Sequence, residues 1–132
     1  DIQAIDLPDN QFDIIICSHV LEHIPDDQKA MREMYRILKP GGIAIISVPL
    51  WPSEKHATYE NSAITDERDR IIHFGQFDHL RIYGLDVANR LTEVGFSVEI
   101  LDMEKLTEAA LAERYRLHNN LNIRELIFYC TK

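Results

Sequence analysis

Residues 12–48 read FDIIICSHVLEHIPDDQKAMREMYRILKPGGIAIISV, and this stretch decides the fold. FDIIICS at 12–18 is a continuous β-branched run, the pattern of a strand buried on both faces of a parallel sheet. The polar turn LPDNQ marks its start. After Pro25, Asp26 and Asp27 are N-cap candidates, and Ala30, Met31, Met34, Tyr35 and Leu38 follow at the three-and-four spacing of an amphipathic helix. Lys29, Arg32, Glu33 and Arg36 fall on its wet face. LKPGG at 38–42 stops the helix, because proline cannot continue it and the glycines permit a tight reversal. GIAIISVPL then predicts a second buried strand, parallel to the first through a right-handed βαβ crossover.

Working outward, residues 51–84 turn polar and lose clear periodicity, which predicts a long irregular insertion with one short helix. Long ordered loops in compact domains usually carry function. Asp86 is placed to cap a helix with Val87, Ala88, Leu91 and Val94 inward, and Gly95 suits its C-terminal stop. FSVEILD at 96–102 predicts a third strand, EKLTEAALAERYRL at 104–117 a helix, and ELIFYCT at 125–131 a last strand. The chain starts at Asp1 and meets a strand pattern within about a dozen residues, which predicts a further segment upstream.

The composition bounds the chemistry. A chain of 132 residues with 45% apolar content supports one core, so residues 1–132 are read as a single domain or part of one. A net charge of −8 supplies no basic stripe for phosphates, which argues against nucleic acid and for a small molecule or a protein side chain as substrate. Cys17 and Cys130 lie in apolar runs rather than at metal or framework spacing, as free buried thiols in a reducing compartment do. No apolar run approaches the roughly 20 residues of a membrane span, so the expected location is cytoplasmic, away from membranes.

The run DLPDNQFDIIICSHVLEHIPDDQKAMREMYRILKPGGIAIISVP resembles the class I S-adenosylmethionine-dependent methyltransferases of the small-molecule type. Their members read LPF, a polar turn, FD, an apolar strand, VLEH, and a helix ending in LKPGG. Val94, Gly95 and Phe96 followed by a strand, and the closing ELIFYCTK, continue the likeness. Each element alone is a common turn or helix start; their order and spacing make the resemblance. The family's GxGxG loop and the acidic residue after its second strand have no counterpart here. The resemblance therefore implies an α/β fold comprising the C-terminal half of a doubly wound Rossmann-like sheet. It would hold the family's fourth, fifth, seventh and sixth strands with flanking helices. The seventh would be antiparallel and lie between the fifth and sixth.

The same resemblance implies S-adenosylmethionine as cofactor. In the family an Asp before the fourth strand accepts from the adenine amino group, and Asp1 matches it, with the backbone at Ile2 at the ring edge. Ser18 and His19 lie at the C-terminal end of the first strand here, where open parallel sheets bind ligands. Some relatives hold a divalent metal with the Glu and His of LEH and an acidic residue three before that Glu. His19 stands in that place, which disfavours a hard cation such as magnesium, and no metal is expected.

For a substrate base the insertion offers His73 and His79, with His56 and Tyr83 as further candidates. Arg81 is placed either to bind an acidic substrate group or to pair with Asp86, Asp78 or Glu60. Two functions of different class follow: methyl transfer to a small molecule by the intact parent protein, or a non-catalytic interaction module that kept a partial fold. A nicotinamide oxidoreductase on a related sheet lacks the VLEH and LKPGG grammar. Loss of the first three strands would leave residues 12–18 as a hydrophobic edge, which predicts a homo-oligomer through that edge.

Overall fold

The computed structural model describes residues 1–51, 57–102, 105 and 126–132. Strand β1 (Phe12–Ser18) leads through a 3-10 turn (Leu21–His23) into α1 (Asp27–Ile37), and β2 (Leu38–Ser47) returns parallel to β1. Two short strands, β3 (Tyr59–Glu60) and β4 (Arg81–Ile82), pair antiparallel and frame α2 (Glu67–Phe74). Helix α3 (Val87–Val94), β5 (Ser97–Leu101) and β6 (Ile127–Thr131) complete the described elements. The main sheet runs β1-β2-β6-β5, with β6 antiparallel to both neighbours. This is the α/β fold and strand order that the resemblance implied. The expected helix at 104–117 lies outside the described residues, Lys105 excepted.

The local signals translate directly into geometry. Asp26 caps α1 by accepting from the Lys29 amide at 2.9 Å. Helix α1 buries Ala30, Met31 and Met34 against Ala44, Ile46, Phe128 and Cys130 of the sheet, and α3 adds Val87 and Leu91 to the same core. The Cys17 and Cys130 thiols are free and buried, and burial pushes them up to about 11 and about 12. Gly95 closes α3 with φ of 123°, and a Cβ there would meet the Tyr35 ring at 2.9 Å. Residues 1–9 are strapped along α1 by Arg36. Its guanidinium donates to the Ile5 and Leu7 carbonyls, pairs with Asp9, and meets Glu33, whose carboxyl is held down at about 2.

Three local expectations need correction. Strand β2 begins at Leu38 directly after the helix, with LKPGG inside it, and Phe12 pairs with Leu38 before the register shifts to Ile14 with Ile43. The tight reversal predicted there is replaced by an irregular strand entry in which Gly41 takes φ of 76°. Asp86 occupies the N-cap position of α3 without capping it. Its carboxylate instead accepts from the Thr58 amide and hydroxyl, because the insertion folds back onto it.

The third correction concerns β1, which the sequence pattern buries on both faces. Ile15 and Cys17 face the helices, whereas Ile14 and Ile16 are 57% and 73% exposed. Strand β1 is also an edge of the sheet, so its outer backbone groups have no ladder partner among the described residues. Water on bare isoleucines beside an unpaired edge favours self-association of the 132-residue chain. Light scattering should show a dimer or larger species, and Ile16→Lys should shift it toward monomer; a monomeric parent chain would rule this out.

Candidate functional site

The site is built at the carboxyl ends of the two parallel strands, β1 and β2. Strand β1 ends at Ser18, whose hydroxyl accepts from Ser47 on β2 at 2.8 Å, and the His19 amide donates to the Ser47 carbonyl. His19 itself sits at φ of 51°, a conformation uncommon for a residue with a Cβ and concentrated where a chain is held for function. That bend turns the chain out of the sheet into the 3-10 turn carrying Glu22 and His23. A cavity of about 700 Å³ opens above these strand ends. Its walls include His19, Glu22, Leu50, Trp51, His73 and Phe74.

The far wall comes from the insertion. Asp66 caps α2 by accepting from the Arg68 and Asp69 amides, and Gly75 ends it in the left-handed region. The following turn brings His79 back, so that its Nδ1 lies 3.1 Å from the Phe74 carbonyl. The Leu80 amide then donates to the Glu22 carbonyl at 2.9 Å, which docks the insertion on the 3-10 turn. Arg81 secures this docking. Its guanidinium is 3% exposed and donates to the carbonyls of Leu21, Ile24 and Pro25 and to the Glu60 carboxylate.

These contacts sort the sequence candidates. His73 and His79 both line the cavity, as do His19 and His23. Ser18 is exposed at the strand end beside them. Asp1 is exposed and accepts from the Gln3 amide, and Ile2 packs against the core. His56 lies outside the described residues. Tyr83 is not a base: it is fully buried, its hydroxyl donates to Asp27 at 2.7 Å, and burial with the Asp27 charge pushes its pKa far up. Arg81 is not a substrate anchor, since its donors are committed to Glu60 and backbone carbonyls.

Glu22 was weighed in the sequence only as the Glu of LEH, and no role was given to it there. It is completely buried, and neither carboxylate oxygen has a hydrogen-bond partner among the described residues. Three imidazoles converge on Oε1: His19 Nδ1 at 3.5 Å, His23 Nε2 at 3.8 Å and His79 Nε2 at 4.0 Å. The Glu22–His23 pair was visible in LEH, but His79 is 56 positions away from His23 (79 − 23) and only the docked insertion brings it in.

Known proteins resemble this chain in part of its sequence and in its fold. The profile of a methyltransferase domain matches residues 1–46. The ubiquinone/menaquinone biosynthesis C-methyltransferase UbiE of Enterobacter sp. strain 638 is 48% identical over 44 residues, which are 33% of this chain and 18% of that protein. Among solved structures, the cyclase SpnF matches the whole chain with a TM-score of 0.65 at 20% identity, and the chain spans 54% of it. A Haemonchus contortus phosphoethanolamine N-methyltransferase, solved with S-adenosyl-L-methionine, matches with a TM-score of 0.64 at 19% identity and is spanned for 36% of its length. The likeness is thus one of sequence to a methyltransferase domain over the first 46 residues and one of fold over the whole chain. The chain spans well under two thirds of each of these relatives.

Because Arg81 fastens the insertion, its removal should be felt in stability. Arg81→Met would take the guanidinium from the Leu21, Ile24 and Pro25 carbonyls and leave Glu60 to Arg90 alone, and should cost about 3 kcal/mol, within the usual range for breaking a largely buried charged network. Urea unfolding monitored by circular dichroism measures this, and Lys29→Met on the exposed face of α1 serves as the neutral reference.

Proposed function

We propose that this chain forms the acceptor side, and the adenine edge of the cofactor site, of an enzyme that transfers a methyl group from S-adenosylmethionine to a small molecule. The observation that carries the reading is the half-apolar cavity at the carboxyl ends of β1 and β2, the place where open α/β sheets bind their ligands. Related proteins supply the cofactor by analogy: the Haemonchus enzyme was solved with S-adenosyl-L-methionine on the same fold. The fold alone does not fix the reaction, since the cyclase SpnF shares it.

Methyl transfer from a sulfonium is an in-line displacement, so orientation of the acceptor supplies much of the acceleration. When bound, the cofactor supplies the electrophilic methyl group. Asp1 and Ile2 are assigned to the adenine, and Ser18 and His19 to the cofactor face of the strand ends. Trp51, Ile72, Phe74 and Ile82 would enclose the apolar body of the acceptor and exclude water. His73 and His79 are the candidate bases for the proton that a hydroxyl or amine loses as the methyl arrives. In His79, donation from Nδ1 to the Phe74 carbonyl leaves Nε2 as the accepting nitrogen.

In the methyltransferase that carries this segment, His19→Ala should raise KM for S-adenosylmethionine or lower kcat/KM by about tenfold, equivalent to about 1.4 kcal/mol. Lys29→Ala, remote on α1, should leave both unchanged. The isolated 132-residue chain should bind the cofactor no tighter than millimolar by calorimetry, since its sequence has no glycine-rich loop to cradle the methionine and ribose. Equal kinetics in the two variants would remove His19 from the cofactor site.

A further inference from the structure

The Glu22 carboxylate is a physical anomaly. A buried charge without hydrogen bonds costs several kcal/mol, and folded proteins tolerate one only when a cation or donor compensates it. Its neighbours form no hydrogen bond with it. His79 has Nδ1 against the Phe74 carbonyl at 3.1 Å, and His23 has Nδ1 against the Asp78 carboxylate at 3.2 Å. An imidazole whose Nδ1–H serves an acceptor presents a lone pair at Nε2. As neutral rings in this orientation, with His79 fixed by its hydrogen bond and His23 by its approach to Asp78, both turn Nε2 lone pairs, at 3.8 and 4.0 Å, toward an oxygen that is itself an acceptor. Three acceptors facing one another repel unless something positive lies among them.

We propose that Glu22, His23 and His79 form a site for a divalent transition-metal ion, with zinc as the best fit. One ligand atom from each lies within 4.8 Å of the others. Around a tetrahedral zinc with bonds of about 2.0–2.1 Å, ligand atoms stand roughly 3.3 Å apart, so the cluster closes on an ion by modest side-chain movement. Two imidazoles and a carboxylate are a borderline-soft donor set, which favours zinc over magnesium. The partners at each Nδ1, a backbone carbonyl and a carboxylate, are those that orient histidine ligands and raise their basicity. The nearly perpendicular rings of His23 and His79, 4.8 Å between centroids, approach from different directions.

Three protein ligands leave a fourth position, which His19 Nδ1, 3.5 Å from Glu22, or a ligand in the cavity would take. All three proposed ligands line that cavity, so a bound ion is reachable from it. This assignment stands on donor geometry and does not rest on the methyl-transfer reading; with Nε2 of His79 on the ion, His73 is the candidate base that remains. The expectation of no metal was made for a hard cation at His19, Glu22 and His23; the ligand that changes the donor set is His79, which the insertion delivers.

The test is calorimetric titration of the chelator-stripped 132-residue chain with zinc chloride near neutral pH, repeated with magnesium chloride. One zinc per chain at micromolar affinity or tighter is expected, with magnesium at least about a hundredfold weaker. His79→Ala and Glu22→Gln should each weaken zinc at least about tenfold, Asp78→Asn should weaken it by a smaller factor, and His73→Ala should not change it. Cobalt substitution supplies a spectroscopic readout, with intense visible bands from a tetrahedral site that are lost in His79→Ala. Should Glu22→Gln fail to fold, His79→Ala decides alone. Absence of stoichiometric zinc uptake, or uptake equal in parent and His79→Ala chains, would overturn the proposal.

Discussion

Everything distinctive about the site depends on the Arg81 guanidinium. The 3-10 turn and the residues that follow it direct the Leu21, Ile24 and Pro25 carbonyls at one side chain, beside the turn's own bond from the Ile24 amide to Leu21. Arginine suits the position because its planar fork carries five fixed donors, enough to serve three carbonyls and the Glu60 carboxylate together. Glu60 in turn meets Arg90, which with Tyr83 satisfies the buried Asp27 at the first turn of α1. Helix α1, helix α3 and the insertion are therefore tied through one charged network, and Leu80 and His79 follow Arg81 into place. Without this network the cavity would lose its far wall.

The fold was legible because its signals are local. The β-branched run at 12–18, the three-and-four spacing from Ala30 to Leu38, the capping Asp26 and the helix stop at Gly95 each act within a few residues. The strand order was not local, and it followed only from the family resemblance. Errors appeared where nonlocal contacts outweighed local preference. Asp86 has the residue type and position of a cap, but Thr58, brought in by the insertion, takes its carboxylate. Ile14 and Ile16 have the pattern of a doubly covered strand, and what covers their outer face is not written in residues 12–18.

The site was legible only in part, for the same reason. Ser18 and His19 were readable from the rule that ligands gather at parallel strand ends, and both lie there. Tyr83 and Arg81 belong to the polar insertion and have side chains suited to catalysis, yet their partners, Asp27 and the 3-10 turn carbonyls, come from the other side of the fold. Sequence distance hides such pairs. His79 shows the converse: nothing in QFDHLR separates it from His73, and its approach to Glu22 depends on the αL turn at Gly75 and the bond from Leu80 to Glu22.

Glu22 is where local and global requirements conflict. A glutamate at a fully enclosed position works against stability, and a glutamine or methionine of similar volume would remove the uncompensated charge. Natural folds keep such conflicts mainly where they serve a site. Burial, and after it the nearby Glu22 carboxylate, pushes the Cys17 thiol up to about 11. Lining the cavity above the strand ends, the carboxylate directs negative potential into it, where several of the available groups are imidazoles. In a low-dielectric pocket that potential favours whatever positive charge can enter, and the lone pairs on His23 and His79 select a coordinating cation over a merely hydrogen-bonding one.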